Sequence, residues 1–405
     1  MTLKVDKSNW EKYKLGDIIK WYQKDIPNDE QAAFGIKNYV TAKHIDSDAI
    51  KIKRTGKIID GKKGPTITKH YQDGDLLLST RSVALCKASI AQNEGVTSEK
   101  LLVLRPRADS MVMKNLFPFI FHLSDFWNFA QNSAAGSVNK FTSWTKLREY
   151  EFLLPPKDQQ NKIAELLWAM DNVISSYKIV QLKLDDLYKS ISGRVFSKYV
   201  EKYSTELPFN FEKTNWIQNK LENFCILITD GSHLSPKTEV NGMPISTVEN
   251  MRENSIDIDS CRTISRDDFN YLVRRNCKPE INDVLFSKDG TIGKTFVYKQ
   301  KANIVLLSSI AIIRTKTNLL LPEYCSLIFE SPVFFNEIEK RKSGSALRRI
   351  VIRDIKQFQI RVPSLEIQRE VVSKLMTIKK ELAQLKNLIM ISSNMQKSLI
   401  NEIFS

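Results

Sequence analysis

Apolar residues recur at alternating steps of three and four along one stretch of this chain: Ile163, Leu166, Met170, Val173, Tyr177, Val180, Leu184, Leu187 and Ile191. That spacing is a heptad seam and predicts one long helix. Pro155-Pro156 precedes it, Asp158 stands where a carboxylate suits the helix dipole, and Gly193 is a candidate stop. A second seam begins at Val371, Leu375, Ile378, Leu382 and Leu385, then loosens through Leu388, Ile389, Met395 and Leu399. A helix of about 35 residues is about 50 Å long, more than a small domain covers. The two seams most simply bury each other; the alternative is that each packs only against its own domain. Before each helix lie about 150 residues of short β-branched and aromatic runs, such as "LLLST", "TFVYK" and "NIVLLSSIAIIR", separated by Gly, Asn and Asp. Helical patches are expected around 115–131 and 322–341.

The two halves are copies. "FLLPPKDQQNKIAEL" at 152–166 returns as "IRVPSLEIQREVVSK" at 360–374, an offset of 208. The same offset relates Asp75 and Ser79 to Asp283 and Ser287, Phe126 and Asn128 to Phe334 and Asn336, Gly136 to Gly344, Gln160 to Gln368, and Lys178 to Lys386. One register kept through two kinds of segment indicates an internal duplication. The expected organisation is a head at 1–154, a helix at 155–197, a second head at 198–362 with a linker at 197–214, and a helix at 363–405.

Charge narrows the function. Lys and Arg number 61 against 46 Asp and Glu in 405 residues, a net charge of +15. A basic field of this size favours a polyanionic partner. No apolar run approaches the length of a membrane span, and the N-terminal stretch lacks the apolar core of a signal peptide. The five cysteines are scattered and odd in number, which fits reduced thiols and a cytoplasmic location.

Catalytic motifs are missing. There is no glycine-rich cofactor loop and no Asn/Asp-Pro-Pro motif of an amino-methyltransferase. "KDGTIGKT" (288–295) ends like a phosphate-binding loop, but Lys288 stands where its first glycine belongs. His44, His70, His122 and His233 do not pair at metal-ligand spacing. Ser232 in "TDGSHLSP" lacks the glycines of a nucleophile elbow. The sequence argues for a non-enzymatic binding protein with two readers.

The order of elements resembles the specificity subunits of type I restriction–modification systems. "ILITDGSHLSPK" (226–237), "GMPISTVENM" (242–251) and "INDVLFSKDGTIGKTFVY" (281–298) resemble loops of their target-recognition domains. The first head departs, with "LLSTRSVALCKASI" where the second has "LFSKDGTIGKTFVY" and with no DGSH loop. The resemblance implies two α/β (α+β) recognition domains in tandem, related by pseudo-twofold symmetry and joined by an antiparallel coiled coil. Each head would read one half of a bipartite asymmetric target in double-stranded DNA. The helices would set the gap and dock two methyltransferase subunits, directing adenine methylation of host DNA. Restriction/translocase subunits would add defence against foreign DNA. This chain would carry no cofactor and no metal; S-adenosylmethionine, ATP and Mg would sit in the partners. The alternative is a coiled-coil scaffold without sequence-specific DNA binding.

Residue chemistry nominates the contacts: Arg, Lys, Ser and Thr for base edges and phosphates, Asn for adenine. In the second head these are Ser232, His233 and Lys237; Ser287, Lys288, Asp289 and Thr291; and Lys342, Ser343, Ser345, Arg348 and Arg349. By register the first head offers Ser79, Thr80 and Arg81, then Ser137, Asn139 and Lys140, with Lys43 beside them. Gly136 and Gly344 are expected to serve backbone geometry, and Gln160 and Gln368 to hydrogen-bond either at the helix starts or between the helices, instead of touching a partner.

Overall fold

The computed structural model describes residues 6–47, 49–58, 64–136, 140–203, 205–209, 211, 215–340 and 349–404. By packing, the chain divides into two compact units. One comprises residues 1–179 and 386–405, the other residues 180–385.

In the first unit, strands Ile19–Tyr22, Leu101–Pro106, Leu76–Ser79 and Ala88–Ile90 pair in that order as an antiparallel sheet. A second sheet runs Gly56–Lys57, Asn38–Val40, Gly95–Ser98, Ile67–Tyr71, with its middle pair parallel. The second unit repeats the first sheet as Cys225–Asp230, Ile310–Thr315, Val284–Ser287 and Thr295–Val297. The central strands are buried on both faces. Leu76 and Leu78 enter one cluster and Leu77 another, and Val284 and Phe286 likewise separate from Leu285. This is the period-2 alternation of a pleated strand.

A buried carboxylate opens each of these strands. Asp75 and Asp283 each accept a two-pronged bond from an arginine on the adjacent strand, Arg105 and Arg314. Each also accepts a backbone N–H three residues upstream, from Gln72 at 2.6 Å and Glu280 at 2.7 Å. Paired forks of this kind satisfy an otherwise costly buried charge.

The expected helices form over Lys157–Val195 and Leu365–Phe404, 39 and 40 residues long. The helical patches resolve into Phe117–Ile120 and Ser124–Asn132, then Pro322–Glu330 and Pro332–Lys340. In the first unit Gln396 donates to the Leu167 carbonyl at 3.0 Å, and Ala164, Leu167, Ile400, Ile403 and Phe404 enter the head's core. In the second unit Tyr188, Val195, Val371, Leu375 and Leu382 do the same. The early part of each helix thus lies beside the late part of the other, and the helices run antiparallel. They pack on the heads as well as on each other, so neither expectation holds alone.

In the second seam Val371, Leu375 and Leu382 are buried and Ile378 and Leu385 half-buried, while Leu388 and Met395 of its looser continuation are exposed. The first is displaced by one position. Ile163, Met170, Tyr177, Leu184 and Ile191 are half-buried, but Leu166, Val173, Val180 and Leu187 are 45–48% exposed. The buried stripe is Ala164, Leu167, Asp171, Ile174, Tyr188, Ser192 and Val195. Here the head supplies the packing surface, and it covers a flank that includes small and polar residues. The expected linker is also more structured than its polar content suggested. Val200, Leu207, Phe209 and Phe211 join the second unit's core.

Candidate nucleic-acid interface

The second head gathers its loops at the end of the strand Cys225–Asp230. Gly231 follows, and a Cβ there would meet the Leu306 carbonyl oxygen at 2.1 Å, so only glycine permits this approach. Ser232 is buried, its hydroxyl donating to the Leu234 carbonyl at 2.7 Å. Asp230 is the hub. Its Oδ2 lies 2.9 Å from Lys288 Nζ and 3.2 Å from His233 Nε2. Lys288 is 1% exposed and Asp230 15%, while His233 is 62% exposed. A buried ammonium therefore fixes a carboxylate, which in turn aims an exposed imidazole.

The neighbouring turn is anchored by Ser287, whose hydroxyl accepts the Lys294 N–H at 2.7 Å. Asp289 and Thr291 lie above it, half-buried and exposed. The backbone of Asp289 pairs with that of Arg349, and Arg349 Nε stands 3.6 Å from the Asp289 carboxylate. Across the loop a cavity of about 360 Å³ is lined by Asp230, Ser232, His233, Tyr271, Arg275 and Cys277 among others. Ser265 caps the helix Arg266–Arg274, its hydroxyl accepting the Asp268 N–H, and this sets Tyr271 and Arg275 at the cavity. The Arg275 guanidinium lies 5.3 Å from the Tyr271 ring centre. Burial first, then the Asp230 charge, pushes the Cys277 thiol up, away from nucleophilic use.

The first head keeps the backbone and changes the chemistry. Arg81 and Phe141 make the bridge that Asp289 and Arg349 make 208 positions later. An ion pair is replaced by a guanidinium 5.0 Å from a ring centre. Ser82 has φ +52° where Gly290 has φ +69°, so the left-handed turn survives the loss of glycine. Ser79 is buried, its hydroxyl donating to the Arg81 carbonyl at 3.0 Å, and Thr80 donates to the Lys100 carbonyl at 2.9 Å.

These positions correct part of the expected contact set. Ser79, Ser232, Ser287 and Lys288 are buried and satisfied internally, so they shape loops instead of presenting side chains. Arg81, Lys140, Lys43, His233, Lys237, Thr291 and Arg349 are exposed. Ser137, Asn139, Lys342, Ser343, Ser345, Arg348 and Gly344 lie outside the described residues. Sequence reasoning passed over Asp230, Tyr271 and Arg275. Asp230 was legible as the acid of the DGSH loop, but nothing local places Tyr271 or Arg275 beside it. No helix is long and apolar enough to cross a membrane among the described residues.

The model of the type I restriction modification DNA specificity domain matches this chain twice, over residues 7–184 and 179–391. The chain belongs to this family. Membership favours the DNA-specificity reading over the coiled-coil scaffold. The type I restriction enzyme EcoBI specificity subunit of Escherichia coli is 23% identical over 277 residues, covering 63% of this chain and 57% of that relative. The match thus spans little more than half of the curated relative's length. Two solved chains share the fold. One, from work on complex assembly and conformational transition of the type I R-M system, is 18% identical with a TM-score of 0.57 and 97% of both chains covered. The type I restriction–modification S subunit from M. genitalium is 12% identical with a TM-score of 0.55, covering 100% of this chain and 99% of that one.

Proposed function

We propose that this chain is the non-catalytic DNA-reading subunit of a type I restriction–modification complex. Segments 1–154 and 198–362 each read one half of a bipartite site, and segments 155–197 and 363–405 set the gap. The observation that carries this reading is the matched pair of bridges, Arg81 with Phe141 and Asp289 with Arg349. Two loops with one backbone and different side chains suit two readers of different sequences. Arg81, Lys140 and Lys43 contact DNA from the first head, and His233, Lys237, Asp289, Thr291 and Arg349 from the second. Ser137, Asn139, Lys342, Ser343, Ser345 and Arg348 are proposed as contacts on their residue chemistry alone.

The partners follow from the helices. Leu166, Val173, Val180 and Leu187 recur every seven residues on the first long helix and are exposed. Such a stripe suits an apolar protein partner, which we assign to the methyltransferase subunits, two per chain given the duplication. S-adenosylmethionine, ATP and Mg belong to methyltransferase and restriction/translocase partners in the cytoplasm.

The test is a map of methylated adenines after co-expression with the cognate methyltransferase in a host lacking adenine methylation. One asymmetric motif in two parts with a fixed unread gap is expected. Exchanging residues 1–154 for another head should alter one part only. A soluble assembled complex that modifies nothing would overturn the proposal.

A further inference from the structure

The cavity beside Asp230 has two walls, and one strand residue holds both. Leu306 belongs to the strand Val305–Leu306. Its carbonyl accepts the Ser232 N–H, and its own N–H donates to the Cys277 carbonyl, both at 2.8 Å. The loop that carries Asp230 and His233 is therefore fixed against the segment that carries Arg275 and Cys277.

That segment closes the helix Arg266–Arg274 in a set way. Asn276 takes φ +59°. Its N–H donates to the Val273 carbonyl and the Cys277 N–H to the Leu272 carbonyl, both at 3.1 Å. Leu272 and Cys277 are buried in one cluster. Two such bonds with an apolar contact make a firm helix end. They leave Arg275 where a cation suits the negative end of the helix. Its side chain is exposed, 5.3 Å from the ring centre of Tyr271 one turn back. Among the described residues it forms no ion pair. A guanidinium on an aromatic face keeps its fork of N–H donors available and loses little freedom on pairing.

The opposite wall supplies acceptors. Asp230 lines it, and a carboxylate accepts more bonds than the two that Lys288 and His233 can give. Burial first, then the Asp230 charge, raises the Cys277 pKa, while the Arg275 charge lowers it, so both charges reach the same thiol. A phosphate offers acceptors alone and answers Arg275 without Asp230. The major-groove edge of a G·C pair answers both: guanine O6 and N7 accept, and the cytosine amino group donates.

We propose that Arg275, carried on the Tyr271 ring, reads the guanine of a G·C pair in the half-site of the second head, with Asp230 facing the cytosine amino group. This rests on the DNA-reading assignment and adds to it a base pair and the residue that selects it. Arg275 touches the base, and Tyr271 is a positioning residue.

The experiment is a methylation assay of the assembled complex, parent and variant, on duplexes that each change one base pair of the mapped target. The second head's half-site is the one that stays when residues 1–154 are exchanged. The parent should discriminate in favour of a G·C pair there. Arg275→Ala should lose about tenfold or more of that discrimination at this one position and keep it at the others. Arg275→Lys keeps the charge without the fork and should not restore it; it also tests the site should the alanine variant fail to fold. Tyr271→Phe should retain the discrimination, and Tyr271→Leu should lower it. A loss spread evenly over every duplex marks a phosphate contact and overturns the proposal. So does an unchanged profile, or a second half-site without a G·C pair, and in either case the bipartite motif leaves the DNA-reading assignment standing. A parent complex that methylates no duplex overturns both.

Discussion

Gln160 and Gln368, 208 positions apart, make the same three hydrogen bonds. Each amide donates to the carbonyl of the proline opening its helix, Pro155 at 2.8 Å and Pro363 at 2.9 Å. Each donates also to a head loop, at Met111 or Leu319, and accepts an N–H two residues on, from Met113 or Leu321. Both are buried. The pair locks each long helix to its head. Replacing either glutamine by alanine leaves three backbone groups unanswered and should cost about 1–3 kcal/mol for each buried group left unpaired. Denaturant unfolding of each variant measures it, and an unchanged midpoint would sink the lock.

Lys288 supports a reading loop from inside. Lys288→Ala strands the Asp230 carboxylate and should destabilise the second unit by about 3–5 kcal/mol. Asp230→Asn combined with Lys288→Met should recover much of that stability while releasing His233. A double variant as unstable as the single one would show that the pair is not the relevant contact.

Arg81 and Arg349 occupy opposite partners of equivalent bridges, so their losses should fall on different half-sites. Each alanine variant should cost about 1–3 kcal/mol of discrimination at its own half-site. Methylation of a panel of substituted targets reads this directly. Equal loss at both halves for either variant would contradict it.

Ser82 holds a left-handed conformation that glycine adopts freely. Ser82→Gly should stabilise the first unit by about 1 kcal/mol, and Gly290→Ala should destabilise the second by a similar amount. Thermal melts of the two variants should move in opposite directions.

The duplication, the helix openings and the second seam were legible because each rests on local chemistry: a proline before a helix, a glutamine in its first turn, a leucine every three or four residues. The first seam was misplaced because apolar periodicity records every apolar face, without telling which one the protein covers itself. Leu166 and Val173 fit the period better than the Ala164 and Asp171 that are buried. The loops were harder for a related reason. Lys288 and Ser287 read as surface residues by type, but Asp230 and Lys294 satisfy them in the interior. Such partnerships are tertiary and leave no spacing in the sequence.

The two units also differ in how the ribosome delivers them. The second is continuous, residues 180–385. The first waits for residues 386–405, because Ile400, Ile403 and Phe404 fill its core. The half made first therefore keeps an open apolar face until that segment arrives. Domains generally fold N-terminal first, whereas this first unit completes its core with residues that follow the second in sequence. Shortening the chain by its last twenty residues should unsettle the region around Trp10, whose ring meets Phe404 at 5.8 Å, and leave the second unit folded.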